Sequence, residues 1–239
     1  MVQSEEAPDV QKLALLYYIS RDCRQVGNAD AIFARTVHLP PAYQLFVTGL
    51  WELDHCQFAR ALEHLTDPSL PLTYADEILL TLLQHPKCDP SLAMAYYVTV
   101  SPPLRNQQTL DAYFKLLLRT SVVEAYHFAK RQPIAKHRML FEELILSIHQ
   151  EEPSPARAER ATLLVGMPFT EDEEAWFEDY LLHGKGATCH GAKDSVVMRR
   201  VATGRSLSDV KELDRLREEN LGGIGWDNVK AELASAIPT

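Results

Sequence analysis

The sequence predicts an all-α protein, an α-solenoid-like stack of antiparallel helical hairpins. Three observations predict it. Apolar residues recur at helical spacing along most of the 239 residues. Helix-start signals stand just ahead of those apolar stripes, and prolines mark the joints between them. No stretch alternates with period two over several residues, so no sheet is expected.

Taken in order, the first helices are expected over 9–23 and 28–36, and a third over 41–53 once Pro40-Pro41 has set its start. A fourth follows over 56–65, where Phe58, Ala61, Leu62 and Leu65 form one stripe. Ala75, Ile78, Leu79, Leu82 and Leu83 fall at i, i+3, i+4, i+7 and i+8, which predicts a helix over 73–85. Asp89-Pro90 places a cap residue before proline at the first helical position and opens 90–100. Pro102-Pro103 closes that helix. Leu110, Tyr113, Phe114, Leu117 and Leu118 repeat the stripe over 107–119. Ser121-Val122-Val123-Glu124 reads as a capping box for 122–131. Leu140, Phe141, Leu144, Ile145 and Ile148 predict 136–150, and Ser154-Pro155 starts 155–165. Thr170-Glu171-Asp172-Glu173 is a second capping box, for 171–183. Further helices are expected over 190–202, 207–219 and 226–236. Connectors this short set successive helices antiparallel and in contact, and a long run of such hairpins stacks into a solenoid. An irregular bundle is the alternative packing.

Hydrophobic residues make up 46% of the chain and charged residues 24%, a balance that supports a buried core. The net charge of −9 disfavours a non-specific grip on nucleic acid, which needs Lys and Arg to neutralise phosphates. Neither DNA nor a membrane is therefore an expected partner. Cys23, Cys56, Cys88 and Cys189 are too dispersed for a disulfide framework or a zinc knuckle. Seven of the ten glycines fall from Gly184 onward. The domain reading is accordingly a helical domain over 1–204, with a tail over 205–239 that orders on partner binding.

Several motifs suggest chemistry. Glu52-Leu53-Asp54-His55 and Glu124-Ala125-Tyr126-His127 are both Glu-x-x-His on helices, the spacing that ferritin-like bundles use for a di-iron oxidase site. No other helix offers a clean inward glutamate to complete one. Gly186 and Gly191 have phosphate-loop spacing, but Ala192 stands where lysine should be and no strand precedes. Cys189-His190 could pair as nucleophile and base, although adjacent helical residues face apart. Lys130-Arg131 and Lys136-His137-Arg138 form a basic cluster around a proline turn, either a solvated corner or a contact for an acidic partner. No catalytic residue, cofactor, metal or small-molecule substrate is assigned. Trp176, Phe177, Tyr180, Arg199, Arg200 and Trp226 are the candidate protein-interface residues, because aromatic and arginine side chains dominate interface energetics.

A family resemblance rests on ordered pieces spread over roughly residues 10 to 205. Tyr17-Tyr18-Ile19 comes first, then Gly49-Leu50-Trp51-Glu52-Leu53-Asp54-His55. Phe58-Ala59-Arg60-Ala61-Leu62-Glu63-His64-Leu65-Thr66-Asp67-Pro68 follows. Glu124 to Arg131, Met167-Pro168-Phe169, Glu174-Ala175-Trp176-Phe177 and Ala202-Thr203-Gly204-Arg205 complete the set. Together they resemble the ELYS-like helical domain of nuclear pore proteins, in its short fungal form. The resemblance implies a structural nucleoporin at the nuclear envelope that attaches to the outer-ring arms of the Y-shaped scaffold through protein–protein contacts, without catalysis. Chromatin binding, which animal members add, is not expected, since Gly204-Arg205-Ser206 lacks the proline of an AT-hook core. A generic helical-repeat adaptor outside the pore is the remaining alternative.

Overall fold

A computed structural model describes residues 9–23, 28–72 and 74–205. Every regular element among them is helical: α1 Asp9–Asp22, α2 Ala29–Thr36, α3 Pro41–Asp54, α4 Phe58–Leu65, α5 Ala75–Gln84, α6 Pro90–Val100, α7 Gln107–Thr120, α8 Val122–Lys130, α9 Ile134–His149, α10 Pro155–Val165, α11 Glu171–Leu182 and α12 Ala192–Ala202, with a 3-10 turn at Lys185–Thr188. The all-α class is therefore found, and the helix boundaries lie within about two residues of expectation as far as α12. The two helices expected beyond it, with Trp226, fall outside the described residues. The chain divides into two compact units, residues 1–116 and 117–239, and the division falls inside α7. Each unit contains hairpins of successive helices: α1 with α2, α3 with α4 and α5 with α6 in the first, α8 with α9 and α11 with α12 in the second.

Local chemistry explains the starts. Asp89 and Ser154 accept the N–H of Ser91 and Arg157, each ahead of a proline at the first helical position. Ser121 accepts the N–H of Glu124, but Glu124 is exposed and does not bond back, so this box is half made. Thr170 and Glu173 complete theirs in both directions.

In the first unit, α3 and α4 approach closely at Gly49. A β-carbon there would sit 2.5 Å from Leu65 Cγ, 2.7 Å from its Cδ2 and 3.3 Å from the Ala61 carbonyl oxygen. Phe58, Ala61, Leu62 and Leu65 are all buried, as their stripe requires. Gly49→Ala gains helix propensity of about 1 kcal/mol, yet overpacking a tight contact costs about 1–3 kcal/mol. A net loss of about 1 kcal/mol is expected, read as a melting temperature lowered by about 2–4 °C. A raised melting temperature would show that Leu65 yields freely.

Buried polar groups join the remaining helices of this unit. Arg21 of α1 donates to Thr48 Oγ1 at 2.9 Å, lies 3.7 Å from Asp30 of α2 and covers the Trp51 ring at 4.9 Å. Asp76, in the first turn of α5, accepts the N–H groups of Leu104 (3.0 Å), Arg105 (2.7 Å) and Asn106 (3.3 Å). Pro102 and Pro103 cannot donate, so this segment has few amides to offer, and one carboxylate takes three of them. Asn106 then caps α7 through the N–H of Gln108. Asp76 also helps Tyr96: burial first, then the nearby Asp76 charge, push the phenol up to about 12.

Candidate docking face

The second unit is organised around α11, which packs against α9 on one flank and α12 on the other. Two adjacent glutamates serve these two flanks. Glu173, fully buried, belongs to the α9 side. Its Oε2 accepts the Thr170 N–H at 2.6 Å and the Tyr126 hydroxyl of α8 at 3.0 Å, and lies 3.5 Å from Lys130 Nζ. Its Oε1 lies 2.9 Å from His137 Nε2 of α9. That last approach leaves both atoms without a directed hydrogen bond, so it acts through charge and dipole alone. Burial by itself would raise the Glu173 carboxyl. The Thr170 amide, the Tyr126 hydroxyl and the charges of Lys130 and His137 outweigh it and hold the group below the usual glutamate range.

Glu174 belongs to the α12 side. Arg199 donates to it from Nε (3.0 and 3.2 Å) and Nη2 (2.5 Å), a bidentate fork. Its Nη1 donates to the carbonyls of Val165 and Met167, the latter at 2.7 Å, and the guanidinium covers the Phe169 ring at 4.2 Å. Arg199 is thus fully engaged with the end of α10, the loop after it and α11. One turn further along α11, Glu178 receives Arg200 Nε at 2.9 Å and Nη2 at 2.6 Å.

The candidate interface residues therefore have different standings. Phe177 is wholly buried, Tyr180 is buried, and Arg199 is internal and paired. Arg200 is half-buried and paired. These side chains hold the unit together. Trp176 differs. One edge meets His137 at 5.3 Å between ring centres, yet the residue is only half-buried. Its outer side lines an open groove of about 400 Å³ with Ile134, Ala135, Arg138, Met139 and Glu142 of α9. Ile134 is 69% exposed and Met139 47%, among the more exposed large apolar side chains described. Sequence reasoning passed over both. The usable signal is that they lie off the buried stripe of α9, where a solvated helix would carry polar residues.

The motifs that suggested chemistry are dispersed. Glu52 is buried and lies 3.5 Å from His64, while His55 bonds the Trp51 carbonyl and approaches Asp22. Glu124 and His127 are exposed. Among the described residues no group of three or more His, Cys, Asp or Glu side chains is placed to hold a metal. Gly186 lies in the 3-10 turn and is buried against Tyr180 and Leu181. The imidazole of His190 meets Arg157. Among the described residues no helix is long and apolar enough to cross a membrane.

Fold and site together define a helical-hairpin protein whose second unit carries an open groove between α9 and α11, where Ile134, Met139 and Trp176 lie beside the charged Arg138 and Glu142. Residues 1–184 match the ELYS family, described as nuclear pore complex assembly. The chain belongs to that family. It is also similar to the uncharacterized protein ely5 of Schizosaccharomyces pombe, with 24% identity over 173 residues. That match takes in 72% of this chain and 54% of ely5, so the chain spans about half the length of its curated relative.

Proposed function

We propose that this chain is a structural nucleoporin that docks onto the Y-shaped outer-ring scaffold of the nuclear pore complex, at the nuclear envelope, through protein–protein contacts. The observation that carries this reading is the ELYS family match across residues 1–184. The geometry is in keeping with it, since the buried ion pairs of the second unit are engaged in packing and the groove beside Trp176 exposes Ile134 and Met139. The test is affinity capture of the tagged chain from nuclear-envelope extract, read by mass spectrometry with metal analysis on the same bait. Outer-ring nucleoporins are expected in the eluate. Their absence overturns the reading, and about two irons per chain would instead return attention to Glu52, His55, Glu124 and His127.

A further inference from the structure

In the first unit, a partly enclosed cavity of about 440 Å³ lies among α3, α4, α5 and α6, beside the segment that joins α4 to α5. Phe46, Leu65, Ile78 and Val100 give it apolar walls, and Leu70 and Pro71 of the joining segment line its other side. Four polar side chains also face it: Thr66, Asp67, Tyr96 and Thr99. Three of them are engaged already. Thr66 Oγ1 donates to the Leu62 carbonyl at 2.7 Å, and Thr99 Oγ1 to the Ala95 carbonyl at 2.8 Å, each one turn back. Asp67 accepts the Ser69 N–H at 2.8 Å and its hydroxyl at 2.5 Å. Tyr96 differs. It is 1% exposed, yet its hydroxyl bonds to none of the described residues. The unpartnered polar atoms of Arg21, Glu52, His137 and Glu173 are sealed from solvent, and the Tyr96 oxygen is not among them. What accessibility Tyr96 keeps is therefore at that oxygen, and the space beside it is the cavity. Burial and the Asp76 charge hold the phenol protonated, so it stands as a donor with nothing to donate to. A buried donor in that state is costly until an acceptor arrives.

We propose that this cavity binds a small uncharged molecule of about two fused rings carrying one hydrogen-bond acceptor, which the Tyr96 hydroxyl holds. The size follows from volume: a dry apolar cavity of about 150 Å³ takes one benzene ring. The lack of charge follows from the lining. Among the described residues no cationic side chain lines the cavity to meet an anion, and its carboxylate, Asp67, is committed to Ser69. Apolar walls with one placed polar group are the usual make-up of a small-molecule pocket: the walls supply affinity and the polar group fixes orientation. The site does not depend on the docking function.

The probe is 6-propionyl-2-(dimethylamino)naphthalene, a neutral ketone whose emission moves to the blue in apolar surroundings. Titrated with the 239-residue chain, it should show saturable, blue-shifted emission. Tyr96→Phe removes only the donor and should weaken binding about three- to tenfold, the share of one neutral hydrogen bond. 2-(Dimethylamino)naphthalene, which lacks the ketone, should bind wild type and Tyr96→Phe equally. Val100→Trp, at a half-buried lining position, and Thr99→Trp, at an exposed one, each put an indole where the probe would lie and should abolish binding of both compounds. Either variant serves if the other does not fold. Tyr43→Ala, in the neighbouring cleft that Tyr18 and Tyr74 also line, should leave binding unchanged. Without probe, Tyr96→Phe should melt no lower than wild type, because the hydroxyl has no bond to lose. No saturable binding, equal affinity of the ketone for wild type and Tyr96→Phe, or binding lost in Tyr43→Ala but kept in the tryptophan variants overturns the site. A lowered melting temperature in Tyr96→Phe shows the hydroxyl to be satisfied within the fold and overturns it as well.

Discussion

Glu173→Ala lowers the unfolding free energy by about 3–5 kcal/mol, the range found when one member of a buried charged cluster is removed. Four partners lose their acceptor or counter-charge at once: the Thr170 amide, the Tyr126 hydroxyl, Lys130 and His137. They do not contribute equally. Lys130 is 35% exposed and can turn its ammonium to water, so its share is small. Tyr126 keeps the Pro168 carbonyl, an acceptor 2.8 Å from its hydroxyl, whereas His137 is enclosed and has no such recourse. Glu173→Gln keeps an acceptor for the amide and the hydroxyl and removes only the charge, so it costs less, about 1–2 kcal/mol. The two variants separate hydrogen bonding from charge. The pH dependence has a definite sign. The folded carboxyl lies below its ordinary value of 4.5, so the native state is the weaker proton binder. Its contribution is complete above that value and is lost as pH falls through the folded pKa. Denaturant titrations over roughly pH 3 to 6 should show wild type weakening on the acid side more steeply than Glu173→Gln. Equal slopes for the two proteins would remove Glu173 from acid unfolding.

Arg199→Ala is the second large loss, again about 3–5 kcal/mol. Truncation strands a nearly buried carboxylate at Glu174 and removes the Arg199 donor from the Val165 carbonyl, while the Met167 carbonyl keeps the Phe169 N–H at 3.0 Å. Arg199→Lys retains the charge but cannot reproduce the fork, which bonds one carboxylate twice while reaching two carbonyls. It should recover little of the loss. The decisive measurement is the double variant Arg199→Met/Glu174→Leu. Replacing both charges with apolar groups of similar size removes the stranded carboxylate, and buried pairs so replaced are often neutral in stability. The double variant should therefore unfold later in urea than Arg199→Ala alone. If the losses instead add, the pair is not coupled and the fork is not what holds α12 to α11.

These two glutamates also mark where sequence reasoning stops. The helices were legible because proline, cap residues and a single apolar stripe agree at most positions, as at Asp89-Pro90 and along Leu140 to Ile148. Thr170-Glu171-Asp172-Glu173 read as a capping box, and the structure completes it. The burial of Glu173 and of Glu174 beside it had no signal in that reading. A helix with neighbours on two flanks buries more than one stripe, and positions a single residue apart then face different partners. Periodicity counts apolar residues and is blind to a buried carboxylate whose cation is 25 or more residues away, as Arg199 is from Glu174. Of the candidate site, Trp176 was legible as an aromatic anchor. Its neighbours Ile134 and Met139 were not, because nothing short of the packing of α11 against α9 shows which apolar residues remain uncovered. Tyr180 and Phe177 are the converse. Their aromatic character suggested an interface, and packing places them inside.

The Asp76 clasp bears on which changes in chain length this fold tolerates. It ties the start of α5 to the segment before α7, closing a loop of about thirty residues whose closure entropy is roughly 3 kcal/mol. That entropy grows only with the logarithm of the loop, so doubling it adds only about 0.6 kcal/mol. Insertions at the turn between α5 and α6, over residues 85–89, therefore change the closure very little. Between Pro103 and Gln107 the situation reverses. Three consecutive amides are matched to two oxygens of one side chain, and a single added residue breaks the match. Length variation among relatives of this chain should accumulate at the first place and be absent from the second.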